Sequence, residues 1–280
     1  MEAGRLAVTP PAMKNRADMA SSGEFRVDGK SAMITGAGSG IGRAIALKFS
    51  RNGADVHIVD VNKNDAEAVA EEIIKRGGRA SVHACDVGNQ SEVISAVDQI
   101  SRQERVHILV NNAGISQIGN VEGTREAEFD RILRINVKGY YNCIFACVPH
   151  MKTSGGGVIL NIASIAGSAG VADRFGYSTS KGAVIAMTYS VARDYIAHNI
   201  RCNSISPARV HTPFVDGYLR NNYPGREQEM YEKLAKTQPI GRMGEPDEVA
   251  SLALFLCSDA AGFITGVDYP LDGGFMNLHG

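Results

Sequence analysis

Tryptophan is absent from this 280-residue chain, whereas glycine occurs 31 times, and that balance points to many tight turns. An excess of charge is also missing: 29 Lys and Arg face 30 Asp and Glu, for a net charge of -1. With a pI near 6.7 there is no broad electrostatic footprint for nucleic acid or for an anionic membrane, and partners of either kind are not expected. No apolar run reaches membrane-spanning length. Neither HExxH nor paired CxxC occurs, so no metal site is expected. The five cysteines, Cys85, Cys143, Cys147, Cys202 and Cys257, are odd in number and sit mostly in apolar segments. They read as reduced thiols in the core of a cytoplasmic protein. Met1 to about Glu24 carry Pro10 and Pro11 but no apolar h-region, and Glu2 and Asp18 argue against a targeting peptide. Residues 1–24 are expected to be a loose tail.

What is present is ordinary globular composition, 44% hydrophobic and 21% charged. Short β-branched runs recur at Ala32–Thr35, Val56–Val59, Ala80–Ala84, His107–Val110, Val158–Ile162, Ile200–Ile205 and Gly266–Tyr269. Amphipathic stretches alternate with them: Ile41–Asn52, Asn64–Arg76, Ser91–Arg102, Glu126–Met151, Gly176–Ala197 and Pro246–Ser258. The alternation predicts an α/β fold in which about seven parallel strands form one sheet with helices on both faces. Residues 25–280 are therefore expected to form one domain. Val210–Glu245, with Pro213, Pro224 and Pro239, is too long for a simple connection and follows a strand's carboxyl end. It is read as a substrate lid at about 210–245, with one short helix near Glu227–Leu234.

Between the first strand and the first helix lies TGAGSGIG, Thr35 to Gly42. Gly36, Gly40 and Gly42 allow the backbone to turn tightly and approach a pyrophosphate at the helix amino terminus, with Ser39 and Ile41 in the same turn. A glycine turn alone is weak evidence. Asp60, ending the second strand, can accept hydrogen bonds from the adenosine ribose and repel a 2′-phosphate, which favours NAD over NADP; the bland alternative is a turn cap. Arg43 either softens that preference or lies on a solvated face. Asp86 with Val87 closes the third strand, where the carboxylate can meet an adenine amino group. Asn111 and Asn112 end the fourth, suited to tying loops together, and small Ala113 and Gly114 leave space for a cofactor.

Tyr177 and Lys181, four apart, share a helix face, so an ammonium can favour the phenolate of a tyrosine whose unperturbed pKa is about 10. A phenol so tuned is a usable acid or base. Ser164 follows the fifth strand, where its hydroxyl can hold a substrate oxygen as charge develops. Taken singly, these residues have ordinary readings as a surface pair and a turn residue.

The ordered set of TGAGSGIG, Asp60, Asp86–Val87, NNAG (111–114), Asn136, Ser164, YSTSK (177–181) and PARVHTP (207–213) resembles the short-chain dehydrogenase/reductase family over about Gly29 to Phe275. The resemblance implies a Rossmann-like fold, a nicotinamide cofactor and commonly a homotetramer, with a homodimer the smaller assembly. It also implies that Lys181 bonds the nicotinamide ribose, that a backbone kink and a water at Asn136 connect Lys181 to solvent, and that Pro207, Val210 and Thr212 lie at the nicotinamide. Family members often have proline-glycine where this chain has Pro207 and Ala208, which puts that loop's geometry in question.

The expected activity is NAD-dependent interconversion of a secondary alcohol and a ketone, in which Tyr177 takes the alcohol proton and Ser164 orients the oxygen. The 210–245 segment resembles that of family members acting on sugars, sugar acids or short hydroxy acids, and the resemblance implies a small-molecule substrate of that kind. Ser116 and Gln117 suit polyol hydroxyls; Arg209, flanked by His211, suits a carboxylate. The alternatives are a 3-oxoacyl carrier-protein or other carbonyl reductase preferring NADPH, and a non-catalytic NAD-sensing protein.

Overall fold

A computed structural model describes residues 25–278, so the stretch read as a tail, 1–24, lies outside the described residues. Its seven strands are β1 (Ser31–Thr35), β2 (Asp55–Asp60), β3 (Arg79–Ala84), β4 (Ile108–Asn111), β5 (Gly157–Ile162), β6 (Ile200–Pro207) and β7 (Asp268–Leu271). They pair in parallel throughout, in the order β3-β2-β1-β4-β5-β6-β7. Every residue of β1 and of β4 is buried, as strands covered on both faces require.

Helices α1 (Gly40–Arg51), α2 (Lys63–Lys75) and α9 (Pro246–Cys257) cover one face. There Ile45, Phe49, Val69, Ile73 and Val249 pack with Ile34, Ile58 and Val110. The other face carries α3 (Gln90–Gln103), α5 (Gly139–Thr153) and α6 (Phe175–Tyr195), where Val93, Val97, Cys143, Cys147 and Val191 meet Met33, Leu109 and Ile159. Burying each such Ile or Leu stabilises the fold by about 1.5–3 kcal/mol. All five cysteines are buried and unpaired. Among the described residues no helix is long and apolar enough to cross a membrane.

Three expectations differ from the structure in detail. The helix expected over Glu126–Met151 is divided into α4 (Glu126–Leu133), a π-helical turn at Arg134–Lys138, where the resemblance implied a kink at Asn136, and then α5. The wider turn occurs around Asn136, whose amide is committed outside the helix. The segment 210–245 holds two helices, α7 (Pro213–Asn222) and α8 (Glu227–Ala235), where one was expected. Thr212 at the N-cap and Pro213 at the first helical position start α7, because proline lacks an N–H that would be unpaired there anyway. The last strand runs over 268–271, two residues beyond the expected 266–269.

Strand order reverses between β1 and β4, so the loops leaving their carboxyl ends diverge and open a crevice. A buried chain braces it. Asn111 donates to the Asn161 side-chain oxygen at 2.9 Å, and Asn161 donates to Thr188 Oγ1 at 2.9 Å. That chain ties β4 and β5 to α6, the helix that carries Tyr177 and Lys181.

Candidate active site

A cleft of about 530 Å³ occupies the crevice. Gly36, Ser39, Gly40 and Ile41 form one wall, Asp60, Asp86 and Val87 the far end, Asn112, Ala113 and Gly114 the floor, and Thr212 the rim. Gly36 has φ +63°, and a Cβ there would lie 2.8 Å from Ala113 Cα. At Gly42, which lies behind the wall, a Cβ would sit 2.2 Å from the Gly36 oxygen. Only glycine lets the turn close at these two places. Asn112 fixes the same turn by donating to the backbone oxygens of Thr35 and Gly36, at 3.0 and 3.1 Å, the loop-tying role expected from sequence. The first turn of α1 contains no acidic residue, and exposed Ser39 makes no side-chain cap, so the backbone N–H groups of that turn face the cleft.

Asp60 accepts from Gly38 N at 2.9 Å and from Asn62 N at 3.0 Å. Its carboxylate thus caps the turn as well as lining the cleft. Arg43 is paired with Glu72 on the helical surface. Asp86 accepts from Gly88 N and from Arg134, at 2.8 and 2.7 Å. Burial raises its pKa, but the hydrogen bonds from Arg134 and Gly88 and the Arg134 charge outweigh this and hold it below the ordinary carboxylate value. Arg134 and Arg131 also line the cleft and were not anticipated. A contact between Asp86 and Arg134, 48 residues apart, leaves no local sequence signal.

Lys181 is only 4% exposed. Its ammonium donates to the Ile162 backbone oxygen at 2.7 Å and to the Tyr140 hydroxyl at 3.3 Å. It lies 5.9 Å from the Tyr177 ring centroid. The hydrogen bonds of Lys181 go to β5 and α5 and none goes to Tyr177, so the expected lowering of the phenol by the lysine does not appear in this geometry. Burial brings the Lys181 pKa down to about 7. Burial also pushes the Tyr177 phenol above its ordinary value, opposed by a hydrogen bond with Ser164 and by the Arg174 charge. Tyr177 is half-buried. Ser164 itself is 8% exposed, and its oxygen accepts from Ala166 N at 3.2 Å.

Asn136 spans the gap between this cluster and the cleft floor. Its side chain exchanges hydrogen bonds with both backbone groups of Ile115, at 2.8 and 2.9 Å, and donates to Ser180 at 3.0 Å. A Cβ added at Gly114, which lines the cleft, would come 3.2 Å from Asn136 Oδ1 and 3.6 Å from Lys181 Nζ. Tyr140, 1% exposed and donating to the Ile162 oxygen at 2.8 Å, belongs to the same cluster and was not anticipated.

On the opposite rim, Pro207 ends β6, and Ala208 donates to the Leu271 oxygen at 3.1 Å. Ala208 is not among the residues with positive φ, so the proline-alanine sequence needs no backbone freedom that alanine lacks. Val210 is 7% exposed and bridges to Gly244. His211 bonds Asp216 at 2.8 Å and packs its ring against Tyr231, 5.1 Å between centroids, which joins α7 to α8. Arg209 donates to Thr237 at 3.1 Å. Ser116 and Gln117 follow β4; Gln117 donates to Thr124 at 2.8 Å, and its other amide atom, Oε1, is buried without a partner among the described residues.

A family described as enoyl-(acyl carrier protein) reductase matches residues 36–276. An uncharacterised oxidoreductase of Bacillus subtilis, YxbG, is 39% identical over 257 residues, which are 90% of this chain and 92% of its own. A putative short-chain dehydrogenase/reductase from Burkholderia xenovorans superposes with a TM-score of 0.87 at 36% identity, covering 91% of this chain and 99% of the other. The 3-ketoacyl-(acyl-carrier-protein) reductase of Brucella melitensis, solved with NADH, gives a TM-score of 0.79 at 38% identity, over 89% of this chain and 98% of the other.

Proposed function

Because the chain belongs to the short-chain dehydrogenase/reductase family and is an oxidoreductase acting on CH–OH donors, we propose that it interconverts a secondary alcohol and a ketone with NAD as cofactor. The observation that carries this reading is the meeting of two features at Gly114. That residue lines the glycine-walled cleft, and its added Cβ would stand 3.6 Å from the ammonium of Lys181 on the helix of Tyr177. A dinucleotide fits the cleft: the wall is glycine-rich, the first turn of α1 carries no acidic residue, and the Asp60 carboxylate lines the cleft.

In this reading Gly36, Ser39, Gly40 and Ile41 receive the pyrophosphate, with Gly42 closing the turn behind them. Asp60 receives the ribose hydroxyls, and Asp86 with Val87 borders the adenine. Asn112, Ala113, Gly114, Pro207, Val210 and Thr212 flank the nicotinamide. The cofactor supplies the hydride acceptor or donor. Tyr177 takes the alcohol proton at its phenolic oxygen, and Ser164 donates to the substrate oxygen as negative charge grows there. Lys181 and Tyr177 also contact the cofactor, and Asn136 holds the kinked helix against Ile115. Residues 25–280 then act as one catalytic unit, with 210–245 as its lid.

NAD is preferred because Asp60 meets a 2′-phosphate with like charge, while the nearby Arg43 is engaged by Glu72. Five buried, unpaired thiols suit a reducing cytoplasm, and the working form is a homotetramer or homodimer. Steady-state assays of a broad secondary-alcohol panel with NAD and NADP test the reading. NADH formation with at least one alcohol, faster than with NADP, is the expected result; no turnover with either cofactor contradicts it.

A further inference from the structure

The loop that follows β3 is fastened on both of its sides. Toward α3, the Asp86 backbone N–H and the Asn89 side chain donate to the Glu92 carboxylate at 2.9 and 2.7 Å. Toward α5, Arg134 Nη1 donates to Asp86 Oδ2 at 2.7 Å, and Asn142 donates to the Val87 oxygen at 2.8 Å. A Cβ added at Gly139 would lie 2.8 Å from Val87 Cγ2, so the first turn of α5 abuts the same loop. Asp86, Val87, Arg134 and Ile135 all line the dinucleotide cleft.

The Arg134 guanidinium has a reserved place. Gly88 is not among the residues with positive φ, so the backbone there does not require glycine. A Cβ added at Gly88 would, however, lie 2.9 Å from Arg134 Cζ and closer still to Nη1, so any larger residue displaces the guanidinium. Arg131, one turn earlier on α4, lines the same cleft but forms no hydrogen bond or ion pair among the described residues. The side chains of Arg134 and Asp86 are 45% and 34% exposed, and a pair so open to solvent adds little to stability. What it does is fix an acceptor. Asp86 Oδ1 accepts from Gly88 N at 2.8 Å and Oδ2 from Arg134, which stops the carboxylate from turning and leaves each oxygen a further lone pair. A carboxylate held in this way can accept from an N–H in the cleft and has nothing to donate to a carbonyl there.

The structure assigns Arg134 as a positioning residue for the adenine end of the coenzyme: it orients the Asp86 carboxylate to accept from the purine 6-amino group, so that the protein discriminates adenine from a base carrying a 6-oxo group. This deepens the proposed dinucleotide-dependent activity and rests on it. A 6-oxo base would set one acceptor against another and leave both unpaired, the loss that makes recognition by polar groups selective.

NADH and its hypoxanthine analogue, which differ only in the 6-amino against 6-oxo group of the base, test the assignment by calorimetric titration into wild type, Arg134→Met, Arg134→Lys and Gly88→Ala. Wild type is expected to bind NADH about tenfold more tightly than the analogue, the worth of one charge-assisted hydrogen bond. Arg134→Met should cut NADH affinity about tenfold and leave the analogue within about twofold, so that the preference all but disappears. Arg134→Lys should recover part of it, since an ammonium supplies the charge without the planar fork. Gly88→Ala crowds the guanidinium while keeping its charge and should narrow the preference in the same way; with Arg134→Lys it decides the matter if Arg134→Met does not fold. An equal loss for both dinucleotides in Arg134→Met, or an unchanged preference in the variants, overturns the assignment. Equal binding of the two dinucleotides by wild type also overturns it and leaves the oxidoreductase reading standing. Wild type that binds neither of them, nor NADPH, contradicts the oxidoreductase reading, and the assignment falls with it.

Discussion

The Lys181 ammonium and the Tyr140 hydroxyl share one acceptor, the backbone oxygen of Ile162, at 2.7 and 2.8 Å, and stand 3.3 Å from one another. The carboxyl end of β5 thereby anchors a lysine of α6 and a tyrosine of α5 to a single atom. Burial keeps the Tyr140 phenol well above its ordinary pKa and hence neutral, so the lysine is held by dipoles and lacks a counter-charge there.

Tyr140→Phe keeps the ring and removes the hydroxyl. An oxygen that accepts from an ammonium favours its charged form, so its loss lowers the Lys181 pKa further below about 7. The pH profile of kcat/KM should show the limb that reports loss of the ammonium moving to lower pH, with about a tenfold fall at neutral pH. An unmoved limb would make Tyr140 a packing residue only.

Lys181→Met should stabilise the protein near neutrality while abolishing turnover. The folded value of about 7 lies below the ordinary 10.5, so the unfolded chain holds a proton that the folded protein has released between these values. This group's contribution is present above 10.5, declines as pH falls through that window, and is lost below about 7. Thermal unfolding should give a higher Tm for the variant at pH 6, and a flatter rise in stability between pH 7 and 10. A lower Tm at pH 6 would mean that the hydrogen bonds to Ile162 and Tyr140 outweigh the cost of burying the charge.

Asp60→Ser removes the charge that disfavours a 2′-phosphate and weakens the acceptor for Gly38 and Asn62. Equilibrium titrations should show NAD affinity falling about tenfold and NADP affinity rising, so that the preference narrows or reverses. An unchanged NAD to NADP ratio would assign Asp60 the turn-capping role alone.

Much of this was legible in the sequence where local rules dominate. Strands buried on both faces require β-branched apolar runs, and six helices keep an apolar stripe, so the sheet and its cover could be read segment by segment. The spacing of Tyr177 and Lys181 put both on one helix face, and Gly36 and Gly42 announced a close approach. Pairings across the chain were not legible: Asp86 with Arg134 and Tyr140 with Lys181 depend on how β3, α5 and α6 are laid side by side. Helix α7 was hidden by its own start signal. Pro213 reads as a breaker among neighbouring prolines, although after Thr212 it occupies the one helical position that favours it.

The acid/base role of Tyr177 is tested most directly by Tyr177→Phe, with NADH binding and alcohol oxidation measured on the same preparation. NADH affinity close to wild type, together with turnover lower by about a thousandfold, is the predicted result, since only the proton-transfer group is removed. Turnover near the wild-type rate with NADH still bound would contradict the assignment of Tyr177 as the group that takes the alcohol proton.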